Sequence, residues 1–394
     1  MSEKNSTYYK RGVSYSKSDI HEAISGLDKG LYPNAFCKIL PDIAAGDPQY
    51  CNVVHADTAG TKTSLAYLYW KETGDLSVWE GIVQDAIVMN LDDMACSGFI
   101  NDIMLSSTVG RNKHLIPKEV ITRIIRSGFE FIEKMKQFDI SLFHAGGETA
   151  DVGDIVRTVD VGYTAFGRLD RGRVINNAIR SGDLIVGLAS YGQASYEDDY
   201  NGGMGSNGLT SARHDVFHHS YREKYPETFD PATEKELVYS GSRKVDETIA
   251  IGDVSISLGK LVLSPTRTYL PIIKPIIESH HDKISGLIHC TGGAQTKVLH
   301  FLDEPAHVIK DDLFPIPPLF SLIQEESGSS RKEMYPIFNM GHRMEIYVKT
   351  ESVARSIIEL SQSFDVDARI IGRVEAADRS MVTIEDTEGS YSFD

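Results

Sequence analysis

The chain has 394 residues, more than a single hydrophobic core usually spans, so two domains are expected. Its composition, 41% hydrophobic and 24% charged residues, is typical of an ordinary globular protein. The net charge of −16, without any lysine- or arginine-rich run, argues against a nucleic-acid partner. A small anionic metabolite stays compatible with this charge, because a few placed donors and a Mg²⁺ ion can overcome it locally.

The amino-terminal residues 1–17 are polar and lack the apolar core of a signal peptide. No apolar run reaches the length that a membrane-spanning helix needs. The four cysteines lack metal-ligand spacing, so buried reduced thiols are expected at Cys37, Cys51, Cys96 and Cys290. Together these features predict a cytoplasmic protein without a membrane partner.

Apolar runs of strand length alternate with segments of helical period through the first part of the chain. A helix is predicted over residues 77–97, where Ser77 and Glu80 have capping-box spacing. Pro117 is expected to open a second helix. Strands are predicted at residues 52–57, 103–106, 140–144 and 158–166.

The charged, asparagine-rich residues 168–180 are expected to connect two domains. Strand and helix patterns then resume at residues 184–188 and continue through 264–278, 287–302, 336–348 and 368–374. The predicted fold class is α/β (α+β), with an amino-terminal domain over residues 1–170 and a carboxyl-terminal domain over residues 171–394. Two inserts, residues 191–205 and 220–247, are expected to be surface loops.

The first candidate site is a predicted strand that ends in a carboxylate and runs into a small-residue turn. Gly60 would let backbone N–H groups approach a phosphate, which Lys62 would neutralise. The hydroxyl of Thr61 lies between them, and Asp57 could hold Mg²⁺. The spacing is not that of a Walker A loop, and an ordinary strand-to-helix turn with a surface lysine is the alternative.

The second candidate site is a group of three acidic residues on the helix predicted over residues 77–97. Asp85 and Asp92 share one face beside the apolar stripe, and Asp93 follows them. Carboxylates in that place are costly unless they are paired or bound to a cation. A solvated helix flank is the alternative.

The third candidate site is the segment AGGETA at residues 145–150, directly after a predicted buried strand. Gly146 and Gly147 would permit close backbone approach to a ligand, and open α/β sheets bind ligands at that edge. A tight turn with a solvated Glu148 is the alternative.

Two more glycine turns lie in the carboxyl-terminal half. One precedes a predicted helix at residues 209–217, and the other lies between a predicted strand and a predicted helix at residues 298–302. Both have the form of an anion-binding helix amino terminus, and either also fits an ordinary helix cap. Their candidate ligand residues are Ser206, Asn207, Gly208, Thr291, Gly292 and Gly293.

These motifs, in this order, resemble the AIR synthase family, whose superfamily includes FGAM synthetase, selenophosphate synthetase and thiamine-monophosphate kinase. Residues 57–62 (DTAGTK) resemble the family's DGVGTK, and residues 146–150 are its GGETA unchanged. Further similar segments are residues 9–13 (YKRGV), 206–208 (SNG), 264–269 (SPTRTY), 289–293 (HCTGG) and 338–341 (FNMG). The resemblance covers the chain from about residue 8 to residue 374.

Several positions depart from the family pattern. Residues 92–94 (DDM) resemble the family's NDL, and Asp92 replaces its asparagine. Thr58 replaces the first glycine of DGVGTK, and Ala294 stands after HCTGG where a third glycine is expected. The glycine-rich segment expected near the amino terminus is not evident between Gly30 and Gly46. These changes indicate a divergent branch of the family.

The resemblance implies two α/β domains, with a homodimer joined through the amino-terminal sheets and a carboxyl-terminal mixed sheet with helices. It also implies ATP and Mg²⁺ as cofactors. Its substrate would be formylglycinamidine ribonucleotide, closed to 5-aminoimidazole ribonucleotide in de novo purine biosynthesis. The formyl oxygen would take the γ-phosphate of ATP as an imidate phosphate, and the amidine nitrogen would then close the ring and expel phosphate. Charge neutralisation and positioning carry both steps, so no protein nucleophile is expected.

The resemblance also implies a role for each candidate residue. Catalysis would involve Asp57, Lys62 and Asp93, and Mg²⁺ would bind Asp57, Asp93 and Glu148. The nucleotide would meet Gly60, Thr61, Lys62, Asp85, Gly146, Gly147, Glu148 and Thr149. The substrate would meet Ser206, Asn207, Gly208, Thr291, Gly292 and Gly293.

Two other functions fit the same motifs. One is a superfamily relative that uses ATP on another amide or a carbamoyl substrate. The other is a non-catalytic nucleotide-binding subunit that has kept the fold. The presence of Asp57, Lys62, Asp93 and GGETA together argues against the second, because a scaffold does not need four clustered charged groups.

Overall fold

The computed structural model describes residues 6–16 and 18–394. Its α-helices are α1 (Thr7–Lys10), α2 (Ser18–Ile24), α3 (Lys62–Thr73), α4 (Val78–Ala95), α5 (Lys118–Lys136), α6 (Leu209–Val216), α7 (Ser220–Lys224), α8 (Leu258–Val262), α9 (Leu270–His280), α10 (Pro318–Ser327), α11 (Arg331–Met334) and α12 (Glu351–Gln362). Its strands are β1 (Ile39–Pro41), β2 (Tyr50–Thr58), β3 (Ile103–Arg111), β4 (Leu142–Asp151), β5 (Val159–Asp170), β6 (Leu184–Ala189), β7 (Thr248–Ile251), β8 (Val254–Ser257), β9 (Ile284–His289), β10 (Ala306–Lys310), β11 (His342–Val348), β12 (Ala368–Ala376), β13 (Met381–Asp386) and β14 (Gly389–Phe393).

The amino-terminal part contains a five-stranded sheet in the order β1-β2-β5-β3-β4. The β3–β4 pair is parallel and the other pairs are antiparallel. Helices α4 and α5 pack against one face of this sheet. The strands and helices predicted in this half are confirmed, although β3, β4 and β5 continue several residues further than the pattern indicated.

The capping box predicted at Ser77 is wrong. Ser77 has helical backbone angles and its side chain makes no capping hydrogen bond. Its backbone N–H instead donates to Oδ1 of Asp75 at 2.9 Å. The aspartate two residues earlier therefore supplies the acceptor that orders the start of α4.

The GGETA segment is not the turn that the glycines suggested, because it lies inside strand β4. Gly147 pairs with Ser107 of the parallel strand β3, after an irregularity in the register. A Cβ atom at Gly147 would lie 2.1 Å from Oγ of Ser107. The glycine therefore permits close approach of two strands, as expected where a bulge brings backbones together.

The carboxyl-terminal part contains a seven-stranded mixed sheet in the order β14-β13-β10-β12-β6-β11-β9. The β10–β13 pair is parallel and the rest are antiparallel, which confirms the predicted mixed sheet. Every residue of β11 is buried, and α12 packs on β6, β11 and β12. The five-stranded sheet ends at Asp170 and this one begins at Leu184, while the domain boundary at residue 170 stays a prediction.

The two inserts are not the surface loops that their composition suggested. In the first insert, Tyr196 and Met204 are buried, and Glu197 forms an ion pair with the buried Arg267. In the second, Tyr225 and Tyr239 are buried within an aromatic cluster. The charges misled the prediction because aromatic side chains between them bury large apolar areas.

All four cysteines are free and buried, as the sequence predicted. Among the described helices, none combines the length and the apolar character needed to cross a membrane.

Candidate active site

Helix α4 is the scaffold of the candidate site. It is buried on nearly every side, because β2 and β5 cover one face while α3, α5 and α9 pack around it. A helix so enclosed cannot solvate its polar residues, so each must find a partner inside the protein. The polar residues of α4 that do so are Asp85, Asn90, Asp92 and Asp93.

Asp85 is bound to Lys62, the residue expected to meet phosphate. Lys62 Nζ lies 2.9 Å from Oδ1 of Asp85 and 2.6 Å from the carbonyl oxygen of Ser264, and the lysine is fully buried. Burial lowers the pKa of Lys62, and the adjacent Asp85 opposes that shift. The phosphate role of Lys62 therefore stays a prediction that requires this pair to open.

Asp92 ties α4 to the SPTRTY segment. Its carboxylate accepts hydrogen bonds from the Thr268 hydroxyl at 2.8 Å and the Tyr269 backbone N–H at 2.9 Å. Burial raises the pKa of Asp92 to about 6. Thr266 binds Asp85 in the same manner, through its backbone N–H and its hydroxyl. These two carboxylates thus hold the carboxyl-terminal part against α4.

Asp93 joins the two halves of the protein through a pair of histidines. Its Oδ1 lies 2.7 Å from Nδ1 of His289, in the HCTGG segment, and its Oδ2 lies 3.4 Å from Nε2 of His55. Burial alone would raise the pKa of Asp93, but the His289 hydrogen bond and the charge of His55 outweigh it, so the pKa is lowered. The Asp93 carboxylate is therefore held ionised inside the protein.

Asn90 orients His55. The Asn90 side-chain N–H₂ donates to the carbonyl oxygens of Ala86 and Tyr163, at 2.8 and 3.1 Å. Its Oδ1, 2.9 Å from Nδ1 of His55, must then be an acceptor, so His55 carries a proton on Nδ1. This leaves Nε2 of His55 facing Asp93.

Several buried polar atoms, on α4 and on the two carboxyl-terminal glycine motifs, find no hydrogen-bond partner among the described residues. They are Nε2 of His289, Oγ of Ser206, Oδ1 of Asn207 and Oδ2 of Asp85. Each such atom lowers the free energy of unfolding unless a ligand or a water molecule forms a hydrogen bond with it. The arrangement therefore fits a polar ligand between α4, the 205–208 turn and strand β9.

The turn after β2 is adjacent to the 205–208 turn. The Thr61 hydroxyl lies 2.7 Å from the Thr210 hydroxyl of α6, and Gly60 has a left-handed φ of 61°. Asp57 lies two residues after His55, so both point to the α4 side of the sheet. The structure thus brings Asp57, Gly60 and Thr61 toward the same side of the protein as Asp93.

Glu148 is not brought to Asp57 and Asp93. It pairs with the exposed Thr108 on β3, in a row that also contains Gly162 and Thr58. This row faces away from α4, because Thr58 alternates with Asp57 along β2. Gly146, Gly147 and Thr149 are exposed on the same edge strand. The metal and nucleotide roles of this segment stay predictions.

Both carboxyl-terminal glycine turns occupy helix starts. Gly208 caps α6 with a φ of 78°, and a Cβ there would lie 2.5 Å from the Phe338 ring. Gly293 precedes a 3₁₀-helix, Ala294–Phe301, where the sequence predicted a helix around residues 298–302. Thr291 is buried and Gly292 is half-buried beside it. Substrate contacts of these residues stay predictions.

Sequence reasoning missed His55, Asn90, His289 and Arg343 as candidate site residues. His55 and His289 lay inside segments already singled out, so each was available as a partner for a buried carboxylate. Arg343 had a further signal, because it lies among the apolar residues Met340, Met344 and Ile346, and a charged residue in such a segment needs a partner or a ligand. Residues 338–341 (FNMG) resemble the start of the family's FNxGxGM motif, whose second glycine falls at the position of Arg343.

Comparison with known proteins identifies the class. The family model for the N-terminal domain of AIR synthase related proteins matches residues 37–169. PurL of Thermotoga maritima complexed with FGAR superimposes with a TM-score of 0.53, at 12% identity, over 96% of this chain and 49% of that chain. A chain of the HypE–HypF complex gives a TM-score of 0.54, at 14% identity, over 95% of this chain and 98% of that chain. At these identities the likeness shows the fold.

The sequence relatives are more specific. The phosphoribosylformylglycinamidine cyclo-ligase of Methanocaldococcus jannaschii is 30% identical over 371 residues, which cover 92% of this chain and 85% of the relative. The enzyme of the same name from Methanococcus vannielii is 28% identical, with 90% and 84% covered. The chain belongs to the phosphoribosylformylglycinamidine cyclo-ligase family.

Proposed function

We propose that the protein closes formylglycinamidine ribonucleotide to 5-aminoimidazole ribonucleotide, using ATP and releasing ADP and phosphate. One observation carries the proposal. Asp93 of α4 and His289 of the HCTGG segment, 196 residues apart, are hydrogen-bonded, and Nε2 of His289 has no partner among the described residues. Motifs of the amino- and carboxyl-terminal halves are thereby in contact at a polar site that suits a nucleotide. The sequence relatives are named for this activity.

The donor set supports a Mg²⁺ ion on the amino-terminal side of the site. Asp57 and Asp93 offer carboxylate oxygens, which Mg²⁺ prefers. A Mg²⁺ ion bound there would neutralise charge on the ATP triphosphate. Glu148 could join such a site only from a second copy of the chain, because its own strand places it on the opposite face of the sheet.

The chain's own residues would then bind and orient the substrate. Ser206 and Asn207 have buried oxygens without a partner among the described residues, which suits hydrogen bonding to a ribonucleotide. His289 keeps Nε2 available while Asp93 holds Nδ1. A covalent thiol intermediate is not part of the proposal, since burial raises the pKa of Cys96 and Cys290 and disfavours their thiolates.

We also propose that the amino-terminal sheet forms a homodimer. Its face opposite α4 carries a row of apolar residues in which Val54, Met104 and Phe143 are each more than two-fifths exposed. Phe166 of β5 lies between Val54 and Met104 in the register, so the row crosses the sheet. A continuous apolar row of this kind favours burial against a second copy. We propose a cytoplasmic location, which suits four free cysteines.

A coupled assay tests the proposed reaction. Purified protein is incubated with ATP and Mg²⁺, with and without formylglycinamidine ribonucleotide, and ADP release is followed together with the coloured diazotised aminoimidazole. ADP release that depends on the substrate, with the coloured product, is expected. Substrate-independent ATP use would favour a relative acting on another amide or carbamoyl group. ATP binding without any turnover would favour a non-catalytic subunit.

A further inference from the structure

Arg343 is directed into the candidate site by a break in the regular pairing of β11. The register between β11 and β6 shifts between His342 and Met344. Met344 lies opposite His289 on β9 and contacts Cys96 of the α4 segment, so it faces α4. The irregularity turns Arg343 toward the same helix, where its guanidinium reaches Sδ of Met89. Bulges commonly re-aim a side chain in this way beside functional sites.

The Arg343 guanidinium is buried without a matching acceptor. The residue is 2% exposed, and its one side-chain hydrogen bond among the described residues goes to the Met89 sulfur at 3.4 Å, a weak acceptor. No carboxylate of the described chain forms an ion pair with it within 4.0 Å. A buried guanidinium with five N–H donors is costly in that condition.

The acidic residues nearest to Arg343 already have donors of their own. Oδ1 of Asp85 is paired with Lys62 and bonded to Thr266, while its Oδ2 has no partner among the described residues and forms no hydrogen bond with Arg343. Asp92 accepts two hydrogen bonds from the SPTRTY segment, and Asp93 lies between two histidines. These carboxylates lower the electrostatic cost of Arg343, yet they leave its N–H groups to another acceptor.

Polar groups without a partner among the described residues lie on the segments next to Arg343. Its guanidinium lies against the backbone of Gly205, where a Cβ atom would be 1.8 Å from Nη1. Gly205 begins the turn that carries Ser206 and Asn207, whose buried oxygens lack partners. His289, with its Nε2 also without a partner, lies on the strand that neighbours Arg343. Arg343 and the Ser206 hydroxyl can therefore donate to an anion here, while Oδ1 of Asn207 is an acceptor that suits a hydroxyl or amine of the same ligand.

We propose that Arg343 is an anion ligand of this site and binds a phosphate group. A guanidinium matches two phosphate oxygens through parallel N–H donors, and such charge-assisted pairs are the strong ones. The phosphate would come either from the 5′-phosphate of the nucleotide substrate or from the phosphoryl group that ATP transfers. The choice between these two sources rests on the proposed function, whereas phosphate binding itself does not.

If Arg343 had only a structural role, its replacement would affect stability and phosphate binding differently. If the guanidinium served to neutralise the carboxylates of α4, replacing it would destabilise the protein and leave phosphate binding unchanged. If it is a ligand group, Arg343→Met should leave the melting temperature unchanged or raise it, because removal of a poorly satisfied buried charge is often stabilising.

The first experiment measures binding of inorganic phosphate to the full chain by calorimetry and by thermal shift. Arg343→Met is compared with Arg343→Lys and with the control Arg355→Met, which removes an exposed arginine. We expect Arg343→Met to weaken binding by roughly tenfold to a hundredfold, with a smaller loss in Arg343→Lys. Wild-type protein that does not bind phosphate would overturn the proposal, as would equal affinity in Arg343→Met.

The second experiment separates the two phosphate sources by steady-state kinetics. A raised KM for formylglycinamidine ribonucleotide, with an unchanged KM for ATP, would identify the 5′-phosphate. A lowered kcat with both KM values unchanged would identify the transferred phosphoryl group. Wild-type rates in Arg343→Met would overturn the proposal. If the wild-type chain has no ligase activity but binds phosphate through Arg343, the proposed function fails while this inference stands.

Discussion

Lys62 and Asp85 form an ion pair that is closed to solvent, with Nζ 2.9 Å from Oδ1 and both side chains fully buried. The pair connects the first residue of α3 to the middle of α4, and Asp85 also receives Thr266 from the carboxyl-terminal part. The motif lysine therefore helps to hold the two halves together.

Removing either partner of this pair should be costly. We expect Lys62→Met or Asp85→Asn to lower the free energy of unfolding by about 3–5 kcal/mol, because the remaining charge or polar group stays buried. The double variant should cost less than the sum of the single variants. Urea denaturation of the four proteins measures this coupling, and additive costs would contradict it.

The sequence predicted the site most successfully where a local pattern was enough. The apolar period of α4 placed Asp93 on a buried helix, and the order of motifs indicated which segments belong together. It could not assign partners, since Lys62 finds Asp85 and Asp93 finds His289 only through long-range packing. The direction of Arg343 depends on a register shift between strands, which no local pattern contains.

Asp93→Asn should abolish catalysis and keep the fold. The change removes the charge that binds His289 and His55, and with it the expected Mg²⁺ ligand. We expect kcat to fall by roughly a hundredfold or more, as for loss of a positioned charged group in an active site. The coupled ADP assay and circular dichroism measure the two properties. Asp154→Asn, at an exposed aspartate, is the matched control, and near-normal turnover of Asp93→Asn would rule out its role.

The proposed dimer depends on the exposed apolar row of the amino-terminal sheet. Phe143→Glu places a charge in that row, opposite Met104, and should convert the dimer to a monomer because a buried unpaired carboxylate opposes association. Sedimentation equilibrium measures the mass. Ile125→Glu serves as the control, since Ile125 is exposed on α5, which packs on the other face. A dimer that survives Phe143→Glu would place the interface elsewhere.

Glu345 should make the protein sensitive to acid. Burial alone would raise its pKa, but the ammonium of Lys310 and the hydrogen bond from His342 lower it to about 2. A carboxylate whose pKa is lower in the folded state stabilises the fold above its unfolded pKa of about 4.3, and that contribution is lost as pH falls toward 2.

The free energy of unfolding should therefore drop by about 3 kcal/mol between pH 5 and pH 2 from this residue. Glu345→Gln should lower the free energy of unfolding at pH 7. Below pH 5, the dependence of that free energy on pH should decrease by about one proton. Urea titrations at several pH values measure both effects. Glu351→Gln, at an exposed glutamate of α12, should leave the pH dependence of the free energy of unfolding unchanged. If the free energy of unfolding of Glu345→Gln fell as steeply with acid as that of the wild type, other groups would be responsible for the acid sensitivity.

Gly205 and Arg343 should be coupled, because the guanidinium occupies the place of a Cβ atom. Gly205→Ala has two costs: a left-handed φ of 66°, which is strained for alanine, and displacement of Arg343. The backbone cost alone is about 1 kcal/mol. In the Arg343→Met background the steric cost should largely disappear, so Gly205→Ala should then resemble Gly252→Ala, where φ is 56° and no atom lies within 4 Å. Urea denaturation of the single and double variants measures the coupling, and an equal cost of Gly205→Ala in both backgrounds would contradict it.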